Sequence, residues 1–179
     1  MGGDKRFKLV WSPNRDSKYG LDVRRAWPGK QYADVIGVDY YDYAVSKTGT
    51  EADWTAEYNR TQNGGGPVGI GAWQAFAKAE GVPLSLPEWG EQFGDNLFFL
   101  QKMVPFFNAN YFPGSGDPAG KVIYCAWHNL YAPGGTVDPN ATSGNFLIQQ
   151  NGSDYSGRPQ AAPYFRQFCQ NTSYLRWLT

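Results

Sequence analysis

Histidine and cysteine are nearly absent: the chain has one histidine, His128, and two cysteines, Cys125 and Cys169. So few imidazoles and thiols exclude a disulfide-stapled scaffold and the usual Cys/His zinc cluster. Net charge is missing as well, with 16 Lys and Arg against 16 Asp and Glu. Nothing in that balance draws the protein to nucleic acid or to an anionic membrane. No apolar run approaches the roughly 20 residues of a membrane span. The opening "MGGDKRFKLV" has no signal-peptide core. The expectation is a soluble protein of open compartment, without cofactor or metal, whose partner is neutral or uncharged and polar.

Aromatic residues are plentiful. They form 17% of the chain, with 7 Trp and 12 Tyr, beside only 18% charged residues. Flat apolar rings with a polar edge suit a core, a protein interface or a sugar-binding cleft, and composition does not choose among them. The length of 179 residues fits a single domain, residues 1–179, with enough chain to bury a sizeable core.

Four short apolar runs read as buried strands: "FKLVW" from Phe7, "ADVIGVDYY" from Ala33, "VPLSLPEW" from Val82 and "KVIYCAW" from Lys121. Helical patterns lie between them. "TEADWTAEYNR" starts with Thr50 as N-cap and Asp53 three residues on, a near capping box. "GIGAWQAFAKAEG" sets Ile70, Trp73, Phe76 and Ala77 at helical spacing and stops at Gly81. "DNLFFLQKMVPFFNAN" starts at Asp95, places Leu97, Leu100, Met103 and Val104 on one face, and is expected to bend or end near Pro105. A closing helix is predicted from about Ala161 to Leu178. The connection after the first strand is polar and Pro/Gly-punctuated, so its helix is short or absent. Alternating strand and helix is the pattern of parallel βα units.

In parallel α/β proteins ligands gather at the C-terminal edge of the strands. Trp11, Tyr41, Glu88 and Trp127 all fall at such ends. Alternation puts Glu88 on the face of Leu84 and Leu86, and Trp127 on that of Cys125 and Ile123. Cys169 belongs to a helix on the other side, so the two cysteines stay unbonded.

Taken in order, "FKLVWSPN", "YADVIGVDYYD", "VPLSLPEWG" with "GDNLFFLQKMVPFF", and "VIYCAWHN" resemble the last four strands and connections of glycoside hydrolases of the mannanase type, family 26 and its clan relatives. The similarity runs from about Phe7 to Asn129, and "LSLPEWG" with "GDN" is its most specific part. It implies part of a (β/α)8 barrel that hydrolyses β-linked polysaccharide with retention through two glutamates. Glu88 then matches the nucleophile at the end of the seventh strand. Tyr41 matches the tyrosine that orients it, Trp127 the aromatic floor of the sugar subsite, and Trp11 and Asn14 the lining of the cleft. A fixed, ionised carboxylate and aromatic faces are what such chemistry needs. The family acid/base precedes the first resembling segment, and the expectation is that this chain lacks it.

The fold class that follows is α/β, four parallel βα units, half of a TIM (β/α)8 barrel completed by dimerisation. A whole barrel has eight strands. Right-handed crossovers bank all helices on one face, leaving Leu84, Leu86, Ile123 and some tryptophans uncovered, which predicts association, with a homodimer favoured over a separate polypeptide that supplies the missing half, acid/base included, or a longer enzyme of which this chain is a fragment. Two copies of Glu88 across such a cavity would stand farther apart than the roughly 5–5.5 Å that retention requires. Inversion, or sugar binding without turnover, suits the dimer better.

Bland readings stay open beside these. Glu88 could be a charged strand end; Trp11, Trp127, Tyr41 and Asp39 could be packing residues; His128 reads as structural; Glu91 and Asp95 read as loop and helix-cap residues. Three functions therefore remain: a hydrolase acting on a polysaccharide or oligosaccharide, a non-catalytic carbohydrate-binding half-barrel, and a structural half-barrel that self-associates.

Overall fold

Four parallel strands pair in the order in which they occur along the chain, β1 (Val10–Trp11), β2 (Val35–Tyr41), β3 (Leu84–Gly90) and β4 (Val122–Trp127). The computed structural model describes residues 7–16, 20–42, 49–92, 94–128, 149–150, 153–154 and 156–170. A 3-10 turn (Val23–Ala26) separates β1 from β2, α1 (Glu51–Tyr58) and α2 (Ile70–Glu80) separate β2 from β3, and α3 (Leu97–Asn110) separates β3 from β4. A small antiparallel pair, β5 (Gln149–Gln150) and β6 (Ser153–Asp154), precedes α4 (Ala161–Gln170). That pair was not expected from the sequence. Parallel neighbours joined through helices are the successive βα units of half a TIM barrel, as the alternation implied.

Local chemistry explains most boundaries. Thr50 and Asp53 form a reciprocal capping box at α1: the Asp53 carboxylate accepts from the Thr50 main-chain N–H at 3.1 Å, and the Thr50 hydroxyl accepts from Asp53 N–H at 3.3 Å. Helix α2 stops at Gly81, whose φ of 72° is left-handed, with its N–H returned to the carbonyls of Ala77 and Lys78. Asn96, rather than Asp95, caps α3 by accepting from Phe99 N–H at 3.1 Å.

Helix α3 also runs through Pro105 to Asn110 instead of ending there. Proline deletes one main-chain bond, but Gln101, whose carbonyl loses it, is exposed to water. Beyond the proline, Phe106 and Phe107 are buried and hold the last turn in place. The buried stripe of α3 is Phe99, Leu100, Met103, Phe106 and Phe107, with Leu97 and Val104 only half-buried at its margins.

The chain packs as two compact units: Met1–Tyr40, Thr55–Glu88 and Asn110–Ala126 in the first, and Tyr41–Trp54, Trp89–Ala109 and Trp127–Thr179 in the second. In the first, Val35, Ile36, Val38, Leu84 and Leu86 of the sheet and Ile70, Trp73 and Ala77 of α2 are all fully buried. A buried ion pair sits beside them, Arg15 Nη1 to Glu57 Oε1 at 2.5 Å, and the Trp73 indole N–H donates to the Arg15 carbonyl at 3.1 Å. In the second unit Trp89 is the hub, with Phe107 at 4.8 Å, Trp127 at 4.9 Å and Phe165 at 6.1 Å between ring centroids.

One expectation is corrected here. Leu84 and Leu86 were placed on an uncovered face, yet both are 0% exposed. Burial along β3 does not alternate: Leu84, Ser85 and Leu86 are all buried, Pro87 and Glu88 are both half-buried, and Trp89 and Gly90 are buried again. A strand flanked by neighbours on both edges and covered on both faces reads as a continuous apolar run, which "VPLSL" is. Among the described residues, the exposed large apolar ones lie elsewhere, at Phe7 and Leu9 beside β1, and at Leu21 and Tyr32.

Candidate functional site

In the first unit, Glu88 is the fifth residue of β3, close to the strand's C-terminal end and half-buried. A carboxylate at that depth keeps contact with water, which leaves it able to meet a solute. Trp11, the last residue of β1, packs edge-on to Trp27 at 5.3 Å and against Trp73 and Phe76 of α2 at 6.2 and 6.5 Å. The indole N–H of Trp27 is held by Glu80 Oε2 at 2.9 Å. Asn14 is exposed and its backbone bridges to Asp39 in parallel fashion, extending the β1–β2 pairing past Trp11. Asn14 and Asp39 are thus brought together, while Trp11 joins an aromatic cluster with α2.

In the second unit, Tyr41 ends β2 and is 5% exposed, with the ring of His128 set edge-on to it at 6.2 Å and 90°. Trp127 ends β4. Its half-buried ring lies 4.9 Å from Trp89 and 4.4 Å from Phe165 of α4. The main-chain N–H of His128 donates to the Trp89 carbonyl at 2.9 Å, which ties the end of β4 to the end of β3. His128, read as structural from alternation, is therefore a neighbour of Tyr41.

The residues that sequence reasoning underrated lie just past β3. Glu91, read as a loop residue, is fully buried and paired with an almost fully buried Arg158. Arg158 Nη1 donates to Glu91 Oε2 at 2.5 Å, and Nη2 donates to the Glu91 carbonyl at 3.0 Å. Burial pushes the Glu91 carboxyl up to about 8; the Arg158 guanidinium pulls it down, and the charges of Asp42 and Asp95 push the same way as burial. Asp42, also fully buried, accepts from Gln92 N–H at 2.8 Å and from the Asn96 amide at 3.0 Å. Asp95 is a cap, as expected, but of α4: it accepts from Ala161 N–H at 2.8 Å and Gln160 N–H at 3.1 Å. Partners 65 residues and more away along the chain leave no local signal. Only the density of acidic and amide residues in "GEQFGDN" hints at such a polar clasp.

Among the described residues no cluster of three His, Cys, Asp or Glu side chains is arranged to hold a metal ion. Neither Cys125 nor Cys169 is in a disulfide. No helix among those residues is long and apolar enough to cross a membrane.

The four-strand order and its helices are shared with solved structures. A modular endo-β-1,4-mannanase of glycoside hydrolase family 26 from Cellulomonas fimi superposes over 95% of this chain with a TM-score of 0.51 and 19% identity. In fold this chain is similar to part of that protein. The catalytic domain of a family 26 endo-β-1,4-mannanase from a Bacillus species superposes over 94% of the chain, again at a TM-score of 0.51, with 17% identity. The chain spans 32% of the first mannanase and 40% of the second. No family model and no curated protein matches the sequence. At such identities the likeness to the mannanases is one of fold.

Proposed function

We propose that this chain is a glycoside hydrolase-like half-barrel, one domain over residues 1–179, related to retaining hydrolases of β-linked, mannan-type glycans, with Glu88 at the nucleophile position. The observation that carries this reading is the half-buried carboxylate of Glu88 near the C-terminal end of a parallel strand, in a fold shared with two endo-β-1,4-mannanases. In this reading Tyr41 orients the nucleophile, Trp127 supports a sugar ring, and Trp11 and Asn14 lie along the cleft. The partner is a polysaccharide or oligosaccharide.

In this reading the family acid/base is absent from the four βα units, and the other half of the barrel comes from a second copy of the chain, which brings a second Glu88 but no acid/base of the family kind. Support comes from β1 and β4, which close the four-strand order without a further strand among the described residues, and from the exposed Phe7 and Leu9 beside β1.

A second reading, glycan binding without turnover, is favoured by Trp127, whose ring is braced by Trp89 and Phe165 and remains half-exposed. Release of reducing sugar from β-1,4-mannan by the wild type and by Glu88→Ala separates the two. Turnover that disappears in the variant supports a hydrolase. Equal release by both, above a no-protein control, rejects Glu88 as the nucleophile. Oligosaccharide binding with no turnover in either supports the second reading.

A further inference from the structure

Three features of the second unit form one chain of contacts. The first is the Arg158 grip on Glu91, which takes both the side chain and the main-chain carbonyl of the residue that follows β3. The second is the start of α4: Arg158's own carbonyl accepts the Ala162 N–H at 3.1 Å, and Asp95 caps Gln160 and Ala161. A shift of Arg158 therefore moves the first turn of the helix. The third is Phe165, one turn further on and buried, whose ring lies 4.4 Å from Trp127 and 6.1 Å from Trp89.

We propose that Glu91 and Arg158 are positioning residues for Trp127: the pair fixes the start of α4 on the segment after β3, and α4 through Phe165 fixes the ring of Trp127. The proposal rests on Trp127 being the sugar-facing aromatic only for its functional consequence. A purely structural ion pair would affect stability alone. This one also sets the geometry of a ring more than thirty residues distant along the chain. Glu91 Oε1 is buried without a hydrogen-bond partner among the described residues, so the pair is not saturated and responds to a proton. The charged groups acting on Glu91 are Arg158 before α4, Asp42 at the end of β2, and Asp95 in the segment between β3 and α3. Burial raises the Glu91 carboxyl into a range that can be titrated without acid denaturation.

The test uses the full chain labelled with 5-fluorotryptophan, the Trp127 resonance being assigned by its loss in Trp127→Phe. In the wild type that resonance is expected to move as the solution passes from about pH 6 to about pH 10, tracking the Glu91 carboxyl. In Glu91→Gln it is expected to stay still. Arg158→Lys keeps the charge but cannot hold both oxygens, so it is expected to displace the resonance at every pH. A wild-type resonance that stays fixed while Glu91 titrates overturns the proposal. So does a shift that persists in Glu91→Gln, or an unchanged spectrum in Arg158→Lys.

A second arm titrates β-1,4-manno-oligosaccharide into the same samples. A severalfold change in affinity across that pH range, absent in Glu91→Gln, extends the positioning to the sugar. A moving resonance with no oligosaccharide bound at either end leaves the positioning standing and rejects the carbohydrate reading. Binding with a motionless resonance does the reverse.

Discussion

Arg158 holds Glu91 at two points, one on the carboxylate and one on the main chain, and the two side chains are almost entirely shut off from water. Removing two ions from solvent is expensive, and a buried pair is retained when its geometry is good and its other groups are served. Here one carboxylate oxygen has no hydrogen-bond partner among the described residues, and burial raises the carboxyl to about 8, so that it keeps its proton into mildly alkaline solution.

Stability should record that proton. Glu91 titrates at about 8 in the folded chain against an ordinary 4.5, so the folded state holds a proton that the unfolded state has released over that interval. The stability this adds is complete below 4.5, declines as pH rises toward 8, and is gone above it. The melting temperature of the wild type minus that of Glu91→Gln is therefore expected to fall with rising pH across that window and to level off beyond it. A difference that is flat or that rises contradicts the assignment.

Arg158→Met should behave in the complementary way. Above the Glu91 titration it strands a buried carboxylate, a loss of about 3–5 kcal/mol. In more acidic solution Glu91 takes up a proton and the loss shrinks. Urea denaturation at two pH values on either side of the titration checks this.

Leu86→Ala distinguishes the observed packing from the open face that one-sided crossovers suggested. A fully buried leucine in a central strand loses about 2–5 kcal/mol on truncation. A loss below about 0.5 kcal/mol, the range of surface substitutions, would restore the uncovered face.

The caps should be worth a smaller amount. Thr50→Ala at α1 and Asp95→Ala at α4 are each expected to destabilise by about 1 kcal/mol. Only Asp95→Ala should lower the hydrogen-exchange protection of the first amides of α4. Protection unchanged there would deny that cap.

Association, if it completes the barrel, should run through the edge beside β1. The wild type is expected to sediment as a dimer, and Phe7→Lys with Leu9→Lys is expected to yield monomers, because both exposed side chains flank the edge strand. A wild type that is monomeric at micromolar concentration rejects self-completion.

The four parallel strands, the helix stop at Gly81 and the Thr50 capping box were legible because each follows from residues adjacent in the chain. The course of α3 through Pro105 was not, since the burial of Phe106 and Phe107 outweighs the local effect of proline. The expectation that crossovers on one side leave Leu84 and Leu86 uncovered failed, since both are fully buried in a strand whose burial does not alternate. Glu88 was legible as a strand-end carboxylate. Glu91 was not, because the arginine that buries it lies 67 residues later. The same long reach hid the true target of Asp95.

The most direct test of the central claim uses a substrate that needs no acid. A 2-deoxy-2-fluoro-β-mannosyl fluoride carries its own good leaving group, so a nucleophile alone can react: a Glu88 carboxylate oxygen bonds to the anomeric carbon and fluoride departs with the electron pair. Mass spectrometry of the digested chain is expected to find one added fluoromannosyl group on the peptide holding Glu88, and none in Glu88→Gln. An unlabelled wild type, or a label on any other residue, would contradict Glu88 as the nucleophile.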